Sequence, residues 1–438
     1  MFQKNNLKYI SILAIGFFWC SSLYLTQEQY LAKYATINFV NIVELLFGSL
    51  SMALGILLFC ILYRKRKNVK NLYLIFMILS VVVMIVGFAT KNIYLTGICM
   101  CLNCFLGTAG FGAGYHFSLL SLNIDKQYRG MVFAIGYALG SLGTYLLVLL
   151  PESFYATISS LFLYIPFVVL NLILVFTTTN MEKLDSEKCT GVIKSNFYKI
   201  IIIVLIISLL SALSTDVIAL YTIDIAGGYG NTRLYYCLGL LIAGFLADKK
   251  RQLFEIITLA SFVFSLLSII LLKDHYSIGI IAALSYFFVA FFVVFRTISF
   301  VNLVDEKRNL VWAAGVGLML SRIMEGLLVL FEDQLINNYL LLIIIISTLL
   351  AFILVLYFTM FINKHNETTG DRIKQIVVKY QLSNQEEKVL MLLINGKNNQ
   401  EISEELFISV YTVKRHIANI YQKTGMNKKY LKEICYNS

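Results

Sequence analysis

The sequence predicts an all-α protein in two parts: a polytopic bundle of twelve membrane-spanning helices, set out six and six, and a small C-terminal domain of four helices. Three observations predict it. The 438 residues are 59% hydrophobic and only 14% charged, with a mean hydropathy of +0.77. A soluble domain has about a quarter charged residues, so neither an ordinary soluble globule nor a disordered chain fits. Apolar runs of spanning length recur through residues 1–363, and after Asn363 they give way to a polar segment punctuated by helix caps.

A hydrocarbon core needs about 20 apolar residues per helix. By that measure the spans lie at roughly 9–26, 39–63, 72–90, 93–121, 130–150, 156–178, 199–221, 233–247, 253–272, 278–303, 311–331 and 338–362. The first, with Lys4 and Lys8 ahead of it, has no small-x-small cleavage pattern behind it and counts as a span, not a signal peptide. The fourth is long enough to hide a break at its glycines, and the eighth is the shortest. Cys20, Cys60, Cys99, Cys101, Cys104 and Cys237 lie in apolar runs, where cysteine packs as a small hydrophobe. No metal or other cofactor is expected, since no His or carboxylate accompanies the cysteines at ligand spacing.

Lys and Arg in the connections set the orientation, because the cytoplasmic side keeps the excess. With the N-terminus inside, that side holds Lys4, Lys8, Arg64–Lys67, Lys70, Lys126, Arg129, Lys183, Lys188, Lys194, Lys199, Lys249–Arg251, Lys307 and Arg308. The other side holds Lys33, Lys91, Arg233 and Lys273. Both termini are thus expected in the cytoplasm of a bacterial-type inner membrane, with the bilayer as one partner.

The longest internal loop, about 179–198, divides the spans six and six. Gly244-Phe-Leu-Ala-Asp248-Lys249-Lys250-Arg251 follows span eight, and Arg129-Gly130 opens span five ahead of Gly136, Gly140 and Gly143. Small residues at such spacing let helix backbones approach closely. Layout and motifs together resemble the major facilitator transporters. The loop after span two, Arg64-Lys-Arg-Lys-Asn-Val-Lys70, departs from that family in lacking its glycine and aspartate.

Ionisable residues within spans are expensive and mark candidate sites for a small-molecule ligand. Arg322 and Glu325, three apart in span eleven, share a helix face. Asp216 sits in the outer half of span seven, and Arg296 is near enough to the inner end of span ten to snorkel. A purely structural pairing of Arg322 with Glu325 is the competing reading. For Glu44 and His116 the structural reading leads.

Residues 364–438 carry 12 Lys and Arg against 8 Asp and Glu. A linker, 364–381, precedes the domain proper at 382–438. Ser383-Asn-Gln-Glu386 is a capping box, opening a helix that Gly396 closes. Asn398-Asn-Gln-Glu401 opens a short second helix. Phe407 and Ile408 turn the chain, and Ser409 caps a third helix to about Lys423. Val413, Ile417 and Ile420 form its buried stripe, while Thr412, Lys414, Arg415, His416 and Asn419 lie opposite. Short helix, tight turn and a helix with a basic face make a helix-turn-helix.

From Leu382-Ser383 through Gly396, Glu401-Ile402, Leu406–Ser409 and Thr412–Lys414 to Asn419–Tyr421, the order and spacing closely resemble the LuxR-type (GerE-like) DNA-binding domain. The resemblance implies double-stranded DNA as partner. Lys414, Arg415 and Ala418 would face bases or the adjoining backbone, and Asn399, Ser409 and Thr412 would meet phosphates. Gln400, Val413 and Asn419 complete the expected DNA-binding set, although Gln400 stands where the family often has a basic residue. A fourth helix, Lys428–Tyr436, is where such domains often dimerise.

No nucleotide-binding loop, zinc-protease motif or kinase segment is present, so an enzyme is not expected. Two functions remain. One is a membrane-embedded one-component transcription regulator with a ligand-sensing, transporter-like domain. The other is an active transporter whose tail binds DNA or protein.

Overall fold

The computed structural model describes residues 4–36, 39, 42–65, 68–90, 92–150, 161–178, 200–211, 232–273, 278–306, 308–328, 330, 343–350, 352–353, 369–427 and 430–431. The chain divides into two compact units, Met1–Ile353 and Leu354–Ser438. The described residues are helical with connecting turns, and no strand occurs among them.

In the first unit the helices are α1 (Lys4–Tyr34), α2 (Ser49–Arg64), α3 (Val69–Ala89), α4 (Ile93–Leu106), α5 (Ala113–Asn123), α6 (Arg129–Val148) and α7 (Leu161–Phe176). They continue with α8 (Ile200–Ser211), α9 (Thr232–Lys249), α10 (Arg251–Lys273), α11 (Ile278–Glu306) and α12 (Val316–Leu328). Residues 343–350 are also helical. Each of the twelve expected spans thus contains helix in its described part. Six segments among the described residues are long and apolar enough to cross a membrane.

Several boundaries differ from expectation for clear reasons. α1 runs well past residue 26, because Gln27 to Lys33 continue the helix despite their polarity. Span eight is a full helix with Gly244–Lys249 on its last turns, so that motif belongs to the helix end and not to a loop. Span eleven begins as a 3-10 turn, Arg308–Ala313, and becomes α-helix only at Val316.

Span four does break at its glycines. Gly107 leaves the helix at ψ −154°, a π turn covers Thr108–Gly112, and α5 resumes at Ala113. A side chain on Gly112 would meet the Gly107 carbonyl oxygen at 2.8 Å. The break is stabilised across the bundle, with Thr108 Oγ1 donating to the Gly16 carbonyl of α1 at 2.7 Å.

Glycines also set a close helix crossing between α6 and α9. A Cβ on Gly130 of α6 would lie 2.7 Å from the Gly244 carbonyl oxygen of α9, and one on Gly244 would lie 2.6 Å from that of Gly130. No larger residue fits at this crossing.

Helix ends at one pole of the bundle, the pole rich in Lys and Arg, are satisfied by side chains from other spans. Asp248 accepts from the Gly130 and Met131 N–H groups, both at 2.8 Å, and so caps α6. Arg129 donates to the carbonyls of Ile124 (2.8 Å) and Ser121 (2.6 Å) at the end of α5, and to Asn302 Oδ1 on α11 (3.2 Å). Lys8 and Lys70 donate to the carbonyls of Thr177 and of Phe176 and Thr178, closing the end of α7. Where the loop after span two lacks its aspartate, Arg64 instead lies 4.9 Å from the Trp312 ring, and Cys60 Sγ donates to the Trp312 carbonyl.

In the second unit α13 (Thr369–Tyr380) precedes α14 (Asn384–Ile394), α15 (Asn399–Leu406) and α16 (Val410–Thr424). The segment expected as a linker thus contains a helix, and its Ile373 and Ile376 are buried. They join Leu382, Val389, Leu390, Leu393, Ile394, Ile402, Val413, Ile420 and Leu431 in one core. Of the expected fourth helix only Tyr430 and Leu431 are described.

Candidate nucleic-acid interface and buried polar cluster

Helices α14, α15 and α16 each start on a local cap. The Ser383 hydroxyl accepts from Glu386 N–H (3.3 Å) while Glu386 Oε2 accepts from Ser383 N–H (2.7 Å). Asn398 and Glu401 repeat the arrangement on α15. The α15 helix ends on Phe407, whose left-handed backbone (φ 53°) turns the chain and leaves its ring 95% exposed. Ser409 then caps α16, accepting from Thr412 N–H at 3.1 Å. Gly425, at φ 69°, ends α16 in the conformation that suits glycine.

Glu386 links the start of α14 to the end of α16. It is 3% exposed, and its carboxylate also accepts from Lys423 Nζ at 2.7 Å, near the end of α16. Burial alone would raise its pKa, but the Lys423 ammonium and the Ser383 N–H outweigh that and hold the carboxyl below its ordinary value.

This framework places one face of α16 outward. Lys414, Arg415 and Ala418 are exposed there, with Thr412 and Asn419 partly so; Ser409 and Gln400 are exposed and Asn399 partly so. Val413 does not belong with them. It is 0% exposed and packs in the core, so its place in the expected DNA-binding set is corrected to support of the helix from behind. Ser409 and Thr412 are hydrogen-bonded to each other through their hydroxyls (2.8 Å), and Gln400 Nε2 donates to Glu404 Oε1 (3.2 Å). Tyr411, 79% exposed beside Thr412, was not singled out in the sequence, because one aromatic between polar residues carries no periodic signal.

In the membrane unit the structure brings Arg296, Arg322 and Glu325 together. Arg322 and Glu325 form an ion pair along α12, the pairing that the structural reading of these residues describes. Arg296 does not snorkel. Its side chain lies well inside the 29-residue α11, is 5% exposed, and donates through Nη1 to Ser321 Oγ on α12. Its guanidinium also lies 5.3 Å from the Phe292 ring. Tyr137 of α6 and Tyr236 of α9 are within electrostatic reach of it. Neither tyrosine nor Ser321 was legible in the sequence, since each meets Arg296 only through the fold. Asp216 and the Glu44 side chain lie outside the described residues. His116 accepts or donates at 2.8 Å with the Tyr73 hydroxyl, which Asn171 also contacts, in a buried packing network.

Comparison with known proteins agrees with both halves of this geometry. Residues 380–430 match the family "Bacterial regulatory proteins, luxR family". The chain is 46% identical over 48 residues to the transcriptional regulatory protein LiaR of Bacillus subtilis, covering 11% of this chain and 23% of that protein. It is 48% identical over 46 residues to the Fimbriae Z protein of Salmonella typhimurium (10% and 22%), and 35% over 69 residues to the oxygen regulatory protein NreC of Staphylococcus aureus (16% and 30%). The chain spans less than a third of the length of these relatives. A crystal structure of the fucose:proton symporter FucP of E. coli superposes on 80% of this chain and 97% of its own, with a TM-score of 0.52 at 14% identity. The protein therefore joins a membrane unit of major-facilitator fold to a LuxR-type helix-turn-helix domain. Such a domain implies DNA binding, and such a bundle a lipid environment.

Proposed function

We propose that the protein is a membrane-embedded one-component transcription regulator. The observation that carries this reading is the presence of both units on one polypeptide. A transporter-like bundle has alternative states for a ligand to select, and a LuxR-type domain supplies the output. The DNA-binding face comprises Lys414, Arg415 and Ala418 toward base edges, Asn399, Ser409 and Thr412 toward phosphates, and Gln400 and Asn419 beside them. The ligand site centres on Arg296, Arg322 and Glu325, with Asp216 a further candidate. Both termini lie in the cytoplasm, which puts the tail beside the chromosome, and the tail acts as a homodimer on paired half-sites.

A ligand shifts the bundle only by its differential affinity for two states. The cap of Asp248 on α6 and the bond of Arg129 to Asn302 tie the halves together at the basic pole in one of these states. Opening that pole would release them.

The decisive measurement is salt-dependent binding of the full-length protein, in lipid nanodiscs, to duplex DNA from upstream of the genes it neighbours. A Lys414→Ala, Arg415→Ala double variant should lower affinity by about 100-fold, as expected for loss of base and phosphate contacts worth roughly 1–3 kcal/mol each. Equal binding by wild type and variant would sink the reading. Coupled solute uptake into proteoliposomes, with DNA binding unaffected by solute, would instead identify a working transporter.

A further inference from the structure

The Arg296 guanidinium is buried, yet its Nε has no hydrogen-bond partner. Its Nη1 is committed to Ser321 on the adjoining helix. That leaves the edge formed by Nε and Nη2, which is the edge a carboxylate occupies side-on with two parallel hydrogen bonds. A buried donor with no acceptor is costly, and a buried cation without a counter-charge more so. Among the described residues the charges around Arg296 are Arg322 and Glu325, and these two already pair with each other. Among the described residues the cluster therefore carries one more positive charge than negative.

We infer that Arg296 receives a small organic monocarboxylate, accepted side-on at its Nε edge. This rests on the reading of the membrane unit as a ligand-binding one and names the class of ligand. A single net charge selects a monoanion over a dianion. The Phe292 ring against the guanidinium, and Tyr137 packed on Phe17 with centroids 4.4 Å apart, give the body of the molecule an apolar setting. The phenol groups of Tyr137 and Tyr236 provide neutral donors for a remaining oxygen. The paired Arg322 and Glu325 fix the charge of the site without occupying the free edge.

The test uses the full-length protein in nanodiscs and reads the ligand-dependent shift in melting temperature. The probes are benzoate and lactate, their neutral amides benzamide and lactamide, the dianion succinate, and inorganic phosphate. Benzoate or lactate should stabilise the protein saturably and the amides should not. Arg296→Gln should weaken carboxylate affinity at least roughly 30-fold, the loss expected when one partner of a buried charged pair is removed. Glu325→Gln, which adds one net positive charge, should move the preference toward succinate by about tenfold. That ratio decides the matter if the Arg296 variant does not fold.

Amides that bind as well as the acids overturn the proposal, as do Arg296→Gln with unchanged affinity or phosphate as the tightest probe. So does an Asp216→Asn variant that binds carboxylate tenfold more tightly, since a native carboxylate would then already hold the guanidinium. No DNA enters this assay. Carboxylate binding with DNA affinity unchanged would leave the site standing and remove only the regulator reading.

Discussion

The two units differ in how far along the chain they reach for the partners that close their helix ends. In the tail, each cap comes from the residue that starts the helix: Ser383 with Glu386, Asn398 with Glu401, Ser409 with Thr412. In the membrane unit Asn68 and Asn92 cap α3 and α4 locally, but other helix ends, at the basic pole, are closed from remote sequence. Asp248 serves α6 across more than a hundred residues, and Lys8 and Lys70 serve the end of α7 from still other spans. A short soluble helix has to be stabilised by its own ends, because it gains little from length. A spanning helix is secured by its hydrocarbon surroundings, and its polar ends are free to hold its neighbours. Local caps build a domain that folds by itself, and remote caps build one whose parts can be tied or released.

The sharpest way to break this contrast is through the tail core. Ile420 is fully buried there, and Ile420→Ala should cost about 2–5 kcal/mol. Hydrogen exchange on the full-length protein should then show protection lost throughout α13–α16 and unchanged in the spans. Joint loss in both units would show that they do not fold separately.

Asp248→Ala is the corresponding test of the membrane unit. It removes two hydrogen bonds to a charged acceptor at a helix N-terminus, and each such bond is worth about 1.5–3 kcal/mol. The fold should survive on its packed helices, but the basic pole should open more often. Maleimide labelling of Cys60, buried there against Trp312, should accelerate at least tenfold in a variant stripped of the other cysteines. An unchanged rate would mean that the cap is structural only.

This difference also explains what the sequence disclosed. The tail was legible almost residue by residue, since capping boxes, the closing Gly396 and the stripe of Val413, Ile417 and Ile420 are all short-range patterns. Its one misplacement within α16, Val413, came from reading a residue inside a recognition helix as outward when the stripe already placed it inside. In the first unit, length and hydropathy revealed the spans and the glycine break in the fourth. The caps on α6 and α7, and the Arg296–Ser321 bond, join residues with no sequence relation. Arg296 looked like a snorkelling residue because sequence shows distance to a span end but not the neighbour that captures the side chain.

A smaller effect separates the tail from the spans by pH. Lys423 and Ser383 hold the Glu386 carboxyl below its unfolded pKa, so the stability it contributes is complete above the ordinary carboxylate range and disappears as pH falls through the folded value. Tail exchange protection, corrected for intrinsic rates, should therefore decline on acidification. Glu386→Gln should flatten that decline and cost about 1 kcal/mol near neutrality through the weakened cap. A wild-type profile as flat as the variant's would contradict the role of Lys423.

The smallest predicted change concerns the proposed DNA-binding face. Gln400 is exposed at the start of α15, bonded to Glu404 one turn on. Gln400→Lys adds one charge where a phosphate contact is expected, so the dependence of log affinity on log salt should steepen by about 0.9. Glu404 would compete for the new ammonium, since residues four apart on a helix pair readily. Gln400→Lys alone should therefore raise affinity only a few-fold at moderate salt, and adding Glu404→Gln should release the rest of the gain. If neither change alters the salt slope, α15 does not face the phosphate backbone, and DNA engages this domain through α16 alone.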